Sequence, residues 1–161
     1  MKVRVTQAYS ILSALLVADI VVQFFVAGAA VFTFMHGISD SAPAETYKSA
    51  FEKSDQYWML HAINGSLLLL ESLILVIVSF AARKRWSTTG LSALFIPLII
   101  LQAVLAHPTP APYAGLHTVN GLLILGLGLY LTRREWAFGS RRSAPAQTVV
   151  DEDDRLLSTR A

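Results

Sequence analysis

Cysteine is absent from the chain, which excludes disulfides, iron–sulfur clusters and thiolate metal sites and leaves the redox compartment unmarked. Charge is scarce as well: 15% of residues are Asp, Glu, Lys or Arg, against 54% hydrophobic, and the mean hydropathy is +0.52. Such a composition does not suit an ordinary soluble domain, so lipid is the expected solvent. Catalytic signatures are also missing. The chain has no G-x-S-x-G elbow, Walker loop, dinucleotide-binding glycine fingerprint or H-E-x-x-H motif, and no serine with a nearby His–acid pairing. No reaction is therefore read from it. Nor is there a basic face with interleaved aromatics, so nucleic acid is not an expected partner.

Long apolar runs are what the chain has instead. Helices are expected at about residues 8–35, 57–82, 89–106 and 114–132, each near the ~20 residues that cross a bilayer core. Lipid offers no hydrogen-bond partners, so runs of this length without strict alternation read as helices and not as strands. The expected fold class is all-α, a four-transmembrane-helix bundle occupying residues 1–136. Residues 36–56 read as an outer loop, with room for a short surface helix, and residues 137–161 as a disordered cytoplasmic tail too polar to fold alone. Asp19 and Gln23 interrupt the first apolar run, so it is expected to be a retained helix and not a cleaved signal peptide.

Orientation follows from the basic residues. Lys2, Arg4, Arg83, Lys84, Arg85, Arg133, Arg134, Arg141 and Arg142 flank one end of the expected helices, against only Lys48 and Lys53 at the other. By the positive-inside rule both termini are expected in the cytoplasm, and the expected location is the plasma (inner) membrane.

The most informative feature is a repeat. YWMLHAINGSLL, residues 57–68, returns 56 positions later as YAGLHTVNGLLI, residues 113–124. In a soluble protein Asn-Gly would suggest a hairpin turn, but here both pairs fall inside expected helices. By the same logic Asn64-Gly65-Ser66 is not expected to be glycosylated. A weaker echo links VVQFFVAG in the first run to ILQAVLAH in the third, giving two helix pairs, each with a glutamine (Gln23, Gln102) in its first member. Parallel duplicated hairpins meet around an axis along the membrane normal, which places both phrases at one depth.

His61 and His117 each lie four residues below a tyrosine suited to the interface, Tyr57 and Tyr113, or ~6 Å along a helix. Two histidines facing each other at equal depth can supply both axial nitrogens to one heme iron. Gly65 and Gly121, one turn further, would let a flat macrocycle approach the backbone. Asn64 and Asn120 share the histidine face and would bond a propionate or orient an imidazole. The competing reading is packing alone, since small residues and Asn also join helices without any cofactor. His36 and His107 end the first and third runs and read as polar helix ends, two histidines without a thiolate or carboxylate companion being a poor metal site.

Asp19 and Glu71 share a second depth, ~16 Å from the cytoplasmic helix ends. Ionising an isolated carboxylate there costs at least ~2.5 kcal/mol, so each is expected to be protonated, paired or facing a cavity. Together with Gln23 and Gln102 they are candidates for a proton path or a quinone-headgroup contact. The alternative is a hydrogen-bonded Asp19–Glu71 pair locking two helices. Gly126 and Gly128 extend a small-residue side of the fourth helix, and Pro97 is expected to kink the third.

Helix pairs with Gln in the first member and Leu-His-x-x-Asn-Gly opening the second resemble a family of uncharacterised small bacterial four-helix membrane proteins, over nearly all of residues 8–136. More distantly the pattern is similar to one four-helix half of heme A synthase, in which histidines on the second and fourth helices ligate a heme b. That resemblance implies His61 and His117 as axial ligands. Only one half is present, so heme A synthesis itself is not implied. The expected function is a cytochrome-like membrane protein with one bis-His heme b near the outer face, serving electron transfer or redox sensing. The alternative is a cofactor-free accessory or assembly subunit of a larger membrane complex. Small-solute transport is disfavoured, because one four-helix unit leaves little room for alternating access.

Overall fold

A computed structural model describes residues 2–38, 43–106 and 111–138. The chain forms four helices, α1 (Lys2–His36), α2 (Ala44–Ala81), α3 (Trp86–Leu105) and α4 (Ala111–Glu135), with no strand among the described residues. Each helix is long and apolar enough to cross a membrane, the signature of a multi-pass membrane protein. The expected tail beyond residue 138 and the connection containing His107 lie outside the described residues.

The helices run longer than the apolar runs that announce them, and the largest difference is in the expected outer loop. Residues 44–56 are no loop and no separate surface helix; they are the first turns of α2. Pro43 sits at the N-cap in extended conformation with Glu45 in the first turn, where a carboxylate suits the helix dipole. The sequence that follows, AETYKSAFEKSDQ, contains good helix formers and no glycine or proline. Packing also holds it, because Ala50 and Ser54 are buried. A Cβ added to Gly37 would lie 2.7 Å from that of Ala50, so the glycine lets the end of α1 approach α2 closely.

Each helix packs against two neighbours. α1 touches α2 and α4, and α3 touches the same two, so α1 and α3 stand on one diagonal of a square bundle and α2 and α4 on the other. The interior is assembled from Tyr9, Leu16, Ile20, Leu68, Leu75, Phe95, Ile99, Ile124 and Leu131. Between them lie fully buried hydroxyl residues: Ser10, Ser13, Ser72, Ser79, Thr88 and Ser92. Large apolar side chains such as Phe25, Phe32 and Ile77 are turned outward instead. Lipid tails are as apolar as leucine, so association relies on close packing and interhelical hydrogen bonds. Gly128 contributes the first: a Cβ there would meet Val17 Cγ2 at 2.9 Å. Pro97 is accommodated within α3, which stays helical from Trp86 to Leu105.

Hydrogen bonds close the basic end. Glu135 accepts from Thr88 Oγ1 at 2.7 Å and from Lys84 Nζ at 2.9 Å, and its carbonyl accepts from Ser10 Oγ at 2.7 Å. Ser92 donates its only proton to the Thr88 carbonyl, so Tyr9 is the donor in the 2.8 Å Tyr9–Ser92 bond. Thr132 Oγ1 adds a bond to the Ser13 carbonyl at 3.0 Å. The Glu135 carboxylate thereby ties α4 to α3 and to the α2–α3 turn, and its main-chain carbonyl ties α4 to α1. Glu135→Ala is expected to lower the stability of the detergent-solubilised protein by about 1–3 kcal/mol, read as an earlier thermal transition. An unchanged transition would show the network to be dispensable.

Candidate functional site

The two copies of the repeated phrase build the same local device, and each begins with a glutamine from the preceding helix. In the first hairpin Asn64 Nδ2 donates to Gln23 Oε1 at 2.9 Å and to the Asp19 carbonyl at 3.2 Å. In the second, Asn120 Nδ2 donates to Gln102 Oε1 at 2.7 Å and to the Leu98 carbonyl at 2.8 Å. The carbonyl belongs in both cases to the residue four positions before the glutamine, so the asparagine spans one helical turn of its partner. The asparagines do not orient the imidazoles directly, as the sequence had suggested. They fix the glutamines, and the glutamine residues meet the histidines.

At the histidines the two halves diverge. Gln23 Nε2 donates to the His61 carbonyl at 2.9 Å and lies 3.4 Å from His61 Nε2, the outer limit of a hydrogen bond. His61 Nδ1 is buried without a hydrogen-bond partner. His117 Nδ1 lies 3.1 Å from the Gln102 carbonyl oxygen. A carbonyl only accepts, so Nδ1 carries the proton and Nε2 keeps the lone pair. The rings approach from diagonally opposed helices: their centroids are 6.3 Å apart, with planes inclined at 46°.

Several expected site residues are placed differently. Gly65 and Gly121 do make room, but for side chains already there. A Cβ at Gly65 would lie 3.4 Å from Gln23 Nε2, and one at Gly121 would lie 3.1 Å from Phe24 Cζ and 3.4 Å from Gln102 Nε2. Tyr57 is half-buried one turn above His61, while the ring that meets His61 is Trp58, edge-on at 6.4 Å. The Tyr113 side chain lies outside the described residues, as does His107. His36 is exposed and stacks on Phe32 at 5.6 Å. No hydrogen bond joins Asp19 to Glu71, and Asp19 Oδ2 and Glu71 Oε2 are each buried without a partner, which sets aside the expected carboxyl–carboxyl lock. Among the described residues no group of three His, Asp or Glu could hold a metal ion. Sequence reasoning missed Phe24 and Trp58; the first follows Gln23 directly and the second lies three residues before His61.

The hairpins are unequal above this level. Seventeen residues separate Ala44 from His61 and only six separate Ala111 from His117. The histidines meet, so the α1–α2 hairpin overhangs α3–α4 by roughly 16 Å.

Fold and site thus define a four-helix membrane bundle with a polar layer of two Gln–His–Asn sets. The model of DUF6220, a family of unknown function, matches residues 48–110, which hold His61, Asn64 and Gln102 but neither His117 nor Asn120. No curated protein and no solved structure matches the chain.

Asn120 is 4% exposed and Asn64 only half-buried. Removing the glutamine acceptor is therefore expected to cost more in the second hairpin. Gln102→Leu should destabilise by about 1–3 kcal/mol, the range for a buried polar group left unsatisfied, and Gln23→Leu by less. Thermal unfolding in one detergent ranks the two, and the reverse order would contradict this account.

Proposed function

We propose that the protein is a cytochrome-like membrane protein that holds one heme b between His61 and His117 and serves electron transfer or redox sensing. The observation that carries this reading is the facing pair of imidazoles, with centroids 6.3 Å apart. Two rings bound to one metal through nitrogen bonds of about 2 Å have centroids about 6 Å apart. The donor set fits. His117 Nε2 keeps its lone pair while Nδ1 donates to a backbone carbonyl, the usual arrangement of a metal-binding histidine. His61 is held only through the long Gln23 contact and has an unpartnered nitrogen. What faces Gly121 is partly the far end of Phe24, a side chain that can rotate aside, while the amide ends of Gln23 and Gln102 border the two glycines. A heme so ligated supplies a one-electron couple whose potential depends on axial ligands and surrounding hydrogen bonds.

The chain's own residues divide the remaining work. Asn64 and Asn120 hold the Gln23 and Gln102 side chains in place; Gln23 bonds the His61 main chain and touches its ring at 3.4 Å, and the Gln102 carbonyl accepts from the His117 ring. Asp19 Oδ2 and Glu71 Oε2, buried and unpartnered, are positions at which a proton or a quinone headgroup would be held. The nine-to-two distribution of basic residues supports cytoplasmic termini in an inner membrane, with the histidine layer toward the outer face.

A second reading has its own observation. In each hairpin the asparagine amide joins the glutamine of the neighbouring helix without any cofactor, as an accessory or assembly subunit of a larger complex would use it. An absorption spectrum separates the two. Protein purified in detergent after expression with ample heme is expected to show a Soret band and, on reduction, sharp α and β bands; His61→Ala and His117→Ala abolish this low-spin spectrum. Colourless protein with intact helicity would overturn the heme assignment and leave the accessory subunit.

A further inference from the structure

The turn between α2 and α3 is closed in a way its sequence does not favour. Ala82 caps α2, the Arg83 N–H donates to the Phe80 carbonyl at 2.9 Å, and the Lys84 N–H donates to the Ser79 carbonyl at 3.0 Å. These are the paired bonds of a Schellman motif, whose left-handed position normally falls to glycine because a Cβ crowds the backbone there. Here that position is an arginine. Arg83 has φ 51° and is the only non-glycine residue with positive φ among those described.

Beside it lies a cleft of about 200 Å³ lined by Phe80, Arg83, Lys84, Trp86 and Thr89. Trp86 is 83% exposed, and its ring meets that of Phe80 edge-on at 5.9 Å. The cleft lies where α2 ends and α3 begins, at the basic end of a membrane-crossing bundle, a depth at which tryptophan commonly sits. Its charges are not equivalent. Lys84 is engaged by Glu135 at 2.9 Å and lies over the Tyr9 ring, and Arg134 also reaches Glu135, at 3.4 Å. Arg83 forms no ion pair among the described residues. In addition, α3 starts from Arg85 with no capping side chain, so the positive end of its dipole adds to the field.

We propose that this cleft seats the phosphate headgroup of an anionic phospholipid, with Arg83 supplying the charge and Phe80 and Trp86 flanking the glycerol and upper acyl chain. A guanidinium matches phosphate through parallel N–H bonds, and basic pockets between transmembrane helices are suited to lipid headgroups. Two exposed aromatic rings at the membrane boundary suit an amphiphile better than a free soluble anion. The unfavourable backbone at Arg83 is then accounted for, since glycine would close the turn more easily but bring no charge.

Native mass spectrometry of the detergent-solubilised protein, titrated with phosphatidylglycerol or phosphatidylcholine, tests this. The wild type is expected to prefer phosphatidylglycerol. Arg83→Gln and Arg83→Gly are expected to weaken that preference about fivefold, the factor one cation near an anionic surface supplies, while Arg85→Gln, on the same turn but outside the cleft, leaves it intact. Arg83→Gly should also be at least as heat-stable as the wild type in phosphatidylcholine, which a merely structural arginine would not allow. An equal loss in Arg85→Gln, an unchanged preference in both Arg83 variants, a less stable Arg83→Gly, or saturation by glycerol phosphate alone would each overturn the assignment.

Discussion

The structure depends on the need to satisfy polar groups between helices where no water is at hand. Burying leucine against leucine gains little when the alternative is leucine against lipid, so directional contacts decide which helices pair and in what register. Asn64 and Asn120 answer this need twice. Each amide reaches a carbonyl and a glutamine oxygen one turn apart on the preceding helix. A slip of one residue would break both bonds at once. The histidine level, the close approach at Gly121 and the depth of Asp19 all follow from the registers so fixed.

The four-helix architecture and the pairing into hairpins were legible because hydrophobic runs and a 56-residue repeat are coarse, redundant signals. The helix ends were not. An apolar run marks the part of a helix that lies in lipid, and the polar turns of 44–56 continue α2 because helix propensity and the Gly37–Ala50 contact hold them, neither of which hydropathy detects. In the site, residue types could be read but not their partners: Gln23 and Gln102, expected beside Asp19 and Glu71 as proton or quinone contacts, sit with His61 and His117. Which atom meets which could not be read, because a helical face spans about 100° and rotamers choose within it. Hence Asn64 and Asn120, expected to bond a propionate or orient an imidazole, bond the glutamines, and Gly65 and Gly121, expected to admit a macrocycle, face Gln23, Phe24 and Gln102. The Glu135 network went unseen because its members, Ser10, Lys84 and Thr88, are scattered along the chain and meet only once the bundle closes.

Duplication has not made the halves identical. His117 is anchored through Nδ1 to a backbone carbonyl, whereas His61 touches its glutamine at the edge of hydrogen-bond range. Asn120 is more deeply buried than Asn64. Gly128 brings α4 onto α1, and the equivalent position of α2 carries Ser72, fully buried, whose hydroxyl bonds its own helix at the Leu68 carbonyl. The second hairpin is thus the more rigidly specified frame, and the first carries the longer helices and the less constrained imidazole.

The difference in height between the hairpins gives the histidine layer two unlike flanks. Along α3–α4 the helices stop soon after the layer: Gln102 is three residues from the end of α3 and His117 six from the start of α4. Along α1–α2 a two-helix mast stands beside it, stiffened where Gly37 admits Ala50. Among the described residues that end of the bundle is therefore a step and not a plateau, with the imidazoles near the level of the low tread and the mast rising beside them as a side wall.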